Sequence, residues 1–269
     1  MSVAGPGAAN NPAKEPWSAV GSGPRARIGI ALIHGFTGSP VSLRPLAEHL
    51  ARAGFTVELP RLPGHGTTWR DMIRTRYDDW RAHVFATAKA LRARTDGVVL
   101  IGLSMGGTLA LDVASGGGLD VAGIITINSP ILDRDGLVVK LGPYIEKIVP
   151  LVPASLAGLT ANDIAKPRER EQAYAWVPSA AGNSLLRALP RVRRQLSHVP
   201  CPVLVMYSSH DHSVSPKNSR ALLRLIRCPD LQQLVLERSY HVATLDYDQE
   251  LILERATAFA DRVGNAGRA

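Results

Sequence analysis

One serine in this chain stands where its hydroxyl could be made reactive. Gly102-Leu103-Ser104-Met105-Gly106 is the only Gly-x-Ser-x-Gly pattern in the sequence. It lies between an apolar run, Val98 to Ile101, that reads as a strand, and Met105 to Ala114, that reads as a helix. That context is what the pattern requires: a turn so sharp that flanking side chains would collide with the neighbouring strand or helix. A serine hydroxyl is a weak nucleophile, so it needs a base to take its proton and an acid behind the base. For a serine at such a turn, the partners follow in the order acid then histidine, on loops after late strands. Asp211, in Ser208-Ser209-His210-Asp211-His212, follows the predicted strand Val203 to Tyr207. Asp230 instead precedes a strand, Gln232 to Leu236, and falls at the wrong sheet edge. Of eight histidines, only His241 comes after the last predicted strand and before the last helix.

The same chemistry needs donors where negative charge develops on the substrate carbonyl oxygen. His34-Gly35-Phe36-Thr37-Gly38 follows the first strong strand, where such a loop belongs. The backbone N–H groups of Phe36 and Met105 are the expected oxyanion hole. His34 is expected to brace that loop, and His65, in Pro63-Gly64-His65-Gly66, to be structural.

These loops must be carried by a regular frame, and the hydrophobic pattern supplies one. Arg27 to Ile33 is almost wholly apolar, as a strand buried on both faces would be. Helical spacing follows over Val41 to Ala53 and is closed by Gly54; Tyr77 to Arg94 carries Trp80, Val84, Ala88 and Leu91 on one face. Short strands at Phe55 to Leu59 and Val121 to Ile127 keep the alternation, which predicts an α/β class with a doubly wound, mostly parallel sheet. From Pro130 to about Pro178 the rhythm breaks into segments punctuated by Pro143, Pro150, Pro153, Pro167 and Pro178, so this stretch is expected to be a small cap. A helix over Ser184 to His198 returns the chain to the sheet, followed by helices over Ser215 to Ile226 and Gln249 to Val263. The expected division is a flexible arm over 1–16, a core over 17–130 and 179–269, and a cap over 131–178.

Composition narrows the class. With 45% hydrophobic and 20% charged residues, a globular core is affordable and extended disorder is not indicated. Thirty-one basic against 23 acidic residues give +8, but the bases are scattered and not interleaved with aromatics, so no nucleic-acid platform is predicted. No apolar run reaches the roughly 20 residues of a membrane span. The first residues lack the charged start and apolar core of a secretory signal. Two cysteines, Cys201 and Cys228, exclude a disulfide scaffold and leave at most one bridge, which favours a reduced, cytoplasmic setting.

Four long segments go beyond generic pattern: His34-Gly35-Phe36-Thr37-Gly38-Ser39-Pro40, the run from Leu59 to Thr67, Gly102 to Leu109, and Ser239 to Asp248. Together they resemble the bacterial monoacylglycerol lipases and their carboxylesterase relatives, over Ile28 to about Ala260. The resemblance implies an α/β-hydrolase fold, the Ser104, Asp211 and His241 triad, the Phe36 and Met105 oxyanion hole, a small cap, an acyl-ester substrate, and neither cofactor nor metal. It also nominates Glu171 as a cap residue holding the alcohol half, against an ion pair with Arg168 or Arg170. The cap's first half departs from the family. Over Gly136 to Pro153 its apolar residues, Leu137, Val138, Val139, Leu141, Tyr144, Ile145, Ile148 and Val149, are expected to line the acyl pocket, with dipping into a lipid surface as the other reading. That second reading would add a peripheral membrane location. Dehalogenase and epoxide hydrolase chemistry needs a carboxylate at position 104 and is excluded. An acyltransferase or thioesterase on the same triad stays open, as does oligomeric state; a non-catalytic binding module is disfavoured by the intact triad.

Overall fold

A computed structural model describes residues 11–132, 142, 144, 146, 148–157 and 162–265. Its frame is a seven-stranded sheet of β1 (Trp17–Ala19), β2 (Ile28–Ile33), β3 (Thr56–Leu59), β4 (Gly97–Leu103), β5 (Gly123–Ile127), β8 (Val203–Ser208) and β9 (Leu231–Leu236). The spatial order is β1-β3-β2-β4-β5-β8-β9, with only β1 antiparallel. The central strands β2, β5 and β8 are buried along their whole length. This is why their sequences are continuous apolar runs rather than alternating ones. Parallel pairing brings the ends of β2, β4, β5, β8 and β9 to one edge, and every predicted site loop leaves from it.

Helices cover both faces. One layer packs α1 (Arg44–Arg52) and α7 (Gln249–Asn265) over Ile28, Ile30, Val99 and Ile101. The other packs α3 (Tyr77–Arg92), α4 (Met105–Ser115), α5 (Ser179–Gln195) and α6 (Lys217–Leu225) over Val98, Leu100, Ile124 and Val203. Trp80 is fully buried in this second layer. Gly54, at φ 101°, closes α1 in a conformation that only glycine adopts readily. The buried carboxylate of Asp112 on α4 pairs with Arg81 of α3 at 3.3 Å and with Arg191 of α5 at 3.0 Å, tying the helix after the cap to the core.

The elements missing from the sequence reading are short. β1 is three residues and α2 (Trp69–Met72) is four, too few for a period to show. The cap contains two short strands that its proline-broken rhythm did not show. β6 (Leu151–Pro153) and β7 (Trp176–Pro178) pair antiparallel at its base, with prolines confined to the strand ends. The helix expected from Ser184 begins at Ser179, because Ala180, Ala181 and Gly182 carry helix without an apolar stripe. Residues 12–14 of the expected arm form a 3₁₀ turn capped by Asn11, and Glu15 pairs with Arg61. Cys201 and Cys228 are both free thiols.

In the cap, Leu137, Val138, Val139, Leu141 and Ile145 lie outside the described residues. Tyr144, Ile148 and Val149 do not line the pocket: they are 68%, 82% and 41% exposed. The side chains face water, so pocket lining fails for these three.

Candidate active site

The chain turns from β4 into α4 at Ser104, which sits at φ 55° and ψ −125°. This is a costly backbone state for a residue with a side chain, and it holds only where the surroundings impose it. They do so by close approach. A Cβ on Gly102 would lie 2.2 Å from the Gly106 carbonyl carbon, and one on Gly106 would lie 1.9 Å from the Ile33 carbonyl oxygen. The Ser104 N–H donates to the Ile127 carbonyl of the neighbouring strand at 2.8 Å, anchoring the turn. Among the described residues, the N–H groups of Met105 and Phe36 donate to no partner. Met105 opens α4, so its N–H is one of the groups a helix start leaves over. Phe36 lines the same cavity as Ser104.

Asp211 and His241 come together as the sequence order predicts. The His241 Nδ1 donates to Asp211 Oδ2 at 2.8 Å, while Asp211 Oδ1 accepts the N–H groups of Ser213 at 2.8 Å and Val214 at 2.7 Å. One carboxylate oxygen thus fixes the loop and the other fixes the imidazole. Burial alone would lower the His241 pKa, but the charge and hydrogen bond of Asp211, with the charges of Glu171 and Asp163, raise it instead. His241 and Ser104 line one cavity with Gly35, Phe36, Thr37, Glu171 and Tyr174. The hydroxyl and the ring share that wall without a direct hydrogen bond; such contacts are often long until a substrate is in place. Asp230 sits at the opposite sheet edge, accepting the Val203 N–H through its carbonyl and pairing with Arg262.

His34 braces the loop after β2. Its Nδ1 donates to the Gly35 carbonyl at 2.9 Å, and its Nε2 accepts the Leu62 N–H at 3.1 Å, so both nitrogens are used by the neutral ring. Burial, with His83 and Arg61 nearby, lowers its pKa to about 4, against the raising effect of the Gly35 bond. His65 bonds the Pro63 carbonyl at 3.1 Å and packs tilted against His34 and edge-to-face with Phe36 and Trp80. Burial and His34 hold its pKa well below the usual value. The loop after β2 therefore rests on two neutral imidazoles.

Several residues of the site had no local signature. Asn128, at φ 51° after β5, donates to the carbonyls of His241 at 2.7 Å and Tyr240 at 3.3 Å and to Ser208 Oγ at 3.0 Å. Tyr174 accepts the Thr67 N–H at 2.8 Å and donates to the Gly64 carbonyl at 3.1 Å, tying the cap to the His65 loop. Their partners are 80 to 113 residues away in sequence, so no spacing could show them. Glu171 was nominated, and it lies in a loop, outside any helix or strand. Its N–H donates to Asn162 Oδ1 at 2.8 Å, and a Cβ on Gly38 would meet its Oε1 at 2.7 Å. Among the described residues it pairs with neither Arg168 nor Arg170. Burial raises its pKa, His241 opposes this, and Asp163 adds to it. A wider groove bordered by His49, Glu250, Glu254 and Asp261 lies between α1 and α7, away from the sheet edge, and holds no activated nucleophile.

The neutral histidines predict an acid-sensitive fold. His34 has a folded pKa near 4 against about 6.5 unfolded, so the unfolded chain binds more protons between those values and stability falls as pH drops through that window. Urea unfolding at pH 7 and pH 5 should show a loss of roughly 2 kcal/mol from this group, reduced in His34→Asn. A pH-independent midpoint, or an equal loss in the variant, would contradict the assignment.

The chain is similar to known proteins along most of its length. The family model described as "Alpha/beta hydrolase family" matches residues 30–255. A thermostable monoacylglycerol lipase of Bacillus sp. (strain H-257) is 38% identical over 244 residues, covering 86% of this chain and 90% of that protein. A carboxylesterase of Bacillus subtilis (strain 168) is 24% identical over 237 residues, covering 87% and 92%. A solved structure from work on the metagenome-derived lipolytic enzymes LipS and LipT superposes with a TM-score of 0.85 at 39% identity, covering 93% of this chain and 98% of that one. The monoacylglycerol lipase of Paleococcus ferrophilus shares the fold at a TM-score of 0.77 and 18% identity, covering 93% and 99%. With a strained serine at the strand-to-helix turn and an aspartate–histidine pair across the same cavity, the chain belongs to the alpha/beta hydrolase family.

Proposed function

We propose that this carboxylic ester hydrolase cleaves monoacylglycerols and similar single-chain esters through an acyl-enzyme on Ser104. The observation that carries the reading is the 2.8 Å bond from His241 to the buried Asp211, on the wall of the cavity that Ser104 also lines. With its Nδ1 proton held by Asp211, the imidazole keeps its Nε2 free to take the Ser104 proton. The hydroxyl oxygen then bonds to the ester carbonyl carbon, and the N–H groups of Phe36 and Met105 receive the oxyanion. Collapse breaks the ester C–O bond, and the imidazolium gives its proton to the departing alcohol. Water, deprotonated by the same ring, releases the acid and restores Ser104.

The Glu171 carboxylate, on the cavity wall opposite a loop that leaves no room for a side chain at Gly38, suits the polar alcohol half. Monoacylglycerol differs from a simple ester in the hydroxyls it offers there. The exposed Tyr144, Ile148 and Leu156 support contact with a lipid surface from which such esters are drawn.

Ser104→Ala should abolish p-nitrophenyl ester cleavage, and Asp211→Asn should slow it by about 10⁴, with the fold retained by circular dichroism. Wild-type turnover in either variant removes the triad. At a pH well above the His241 titration, Glu171→Gln should raise KM for a monoacylglycerol about 10-fold while leaving p-nitrophenyl ester kinetics near wild type. An equal effect on both substrates would show that the carboxylate does not read the alcohol. For the surface contact, Ile148→Asp with Leu156→Asp should reduce sedimentation with anionic vesicles, and undiminished sedimentation would discard that part of the proposal.

A further inference from the structure

The triad by itself gives no reason for a buried aspartate in the cap, yet Asp163 is 3% exposed. Its Oδ1 accepts the His212 Nδ1 proton at 2.8 Å, and its Oδ2 accepts the His212 backbone N–H at 3.0 Å. Its own carbonyl accepts the N–H of Val242 at 3.1 Å. His212 directly follows Asp211, and Val242 directly follows His241. One cap residue therefore grips both catalytic loops next to the residues that matter. A second path runs through the His212 ring, which packs edge-on against Tyr240 at 4.5 Å, immediately before His241.

The grip is reciprocated. Asp246, from the histidine loop and also buried, accepts the cap N–H groups of Ala165 at 2.7 Å and Lys166 at 2.9 Å. It accepts those of Tyr240 at 2.9 Å and Tyr247 at 2.8 Å as well. Each loop thus places a carboxylate among the other's donors, and the cap segment cannot lift there without stranding a buried charge.

We propose that Asp163 is a positioning residue, latching the cap across the acid and histidine loops and so setting how His241 faces Ser104. This rests on the triad reading above. The Asp211 bond fixes one nitrogen of the ring, and Asn128 holds the carbonyls of Tyr240 and His241 from the sheet side. Asp163 adds the hold from the cap side, on Val242 directly and on Tyr240 through the His212 ring, so the backbone of residue 241 is gripped from both sides. Asp211, Glu171 and Asp163 are the charged groups acting on that imidazole, so the latch also bears on its titration.

The test measures kcat and KM for a p-nitrophenyl ester across pH in wild type, Asp163→Asn, Asp163→Ala, His212→Gln and Ser104→Ala, each with a thermal midpoint. Activity needs neutral His241, so the acidic limb of kcat/KM reports its pKa in the free enzyme. Removing a nearby negative charge should move that limb to lower pH in Asp163→Asn. Asp163→Ala should lose about 10- to 100-fold in kcat with KM little changed, as expected for a misplaced base. His212→Gln, at a half-exposed ring, should lose kcat in the same direction without moving the limb, and it keeps the test valid if Asp163→Ala does not fold. An unmoved limb in Asp163→Asn, wild-type kcat in His212→Gln, or losses confined to KM would each overturn the latch. Activity in Ser104→Ala would instead overturn the triad, whatever the Asp163 variants do.

Discussion

The site depends on one backbone constraint: the chain must reverse from strand to helix at residue 104 with a side chain held at positive φ. Glycines at 102 and 106 allow the neighbouring backbone to close to distances that no Cβ could survive. The hydrogen bond from Ser104 to the Ile127 carbonyl makes the sheet itself hold the turn. Strain of this kind persists only when the surrounding packing over-determines it, and here two helical layers and a parallel sheet do so. Everything else at the site is arranged relative to that fixed hydroxyl.

The loops around it are held by buried polar groups rather than by apolar contact. Asn128 links the ends of β5 and β8 to the carbonyls of Tyr240 and His241. Asp246 gathers four N–H groups from two loops. His34 uses both of its nitrogens to join two loops. Such groups are expensive to bury unless they are satisfied, and their cost enforces a single arrangement. The cap belongs to this system: its segment from Asn162 to Tyr174 delivers Glu171 and Tyr174 to the cavity while bonded to the catalytic loops. In the function proposed above, a cap held this way presents a fixed carboxylate to the alcohol half of a substrate.

Much of this was legible in sequence, for a physical reason. The core strands are continuous apolar runs because both faces are covered, and the helices show their buried stripes, so α1, α3 and the main strands could be placed to within a few residues. The Gly-x-Ser-x-Gly turn is local chemistry, and position relative to the late strands set Asp211 apart from Asp230 and His241 from seven other histidines. What could not be read were short pieces and distant partners. β1, α2 and the β6–β7 pair are too brief to show a period. Asp163 stands 49 residues from His212, and nothing in its neighbourhood predicts that bond. The apolar residues Tyr144 and Ile148 were misplaced because hydrophobicity alone does not say which way a cap residue faces.

The central claim, that Ser104 is the residue activated by this arrangement, is tested most directly by trapping the covalent intermediate. Treatment with a phosphonate analogue of a single-chain ester, followed by intact mass and peptide mapping, should give one adduct per chain. The account predicts that adduct on Ser104 and nowhere else. Stoichiometric modification at another residue, or inactivation with Ser104 unmodified, would contradict it.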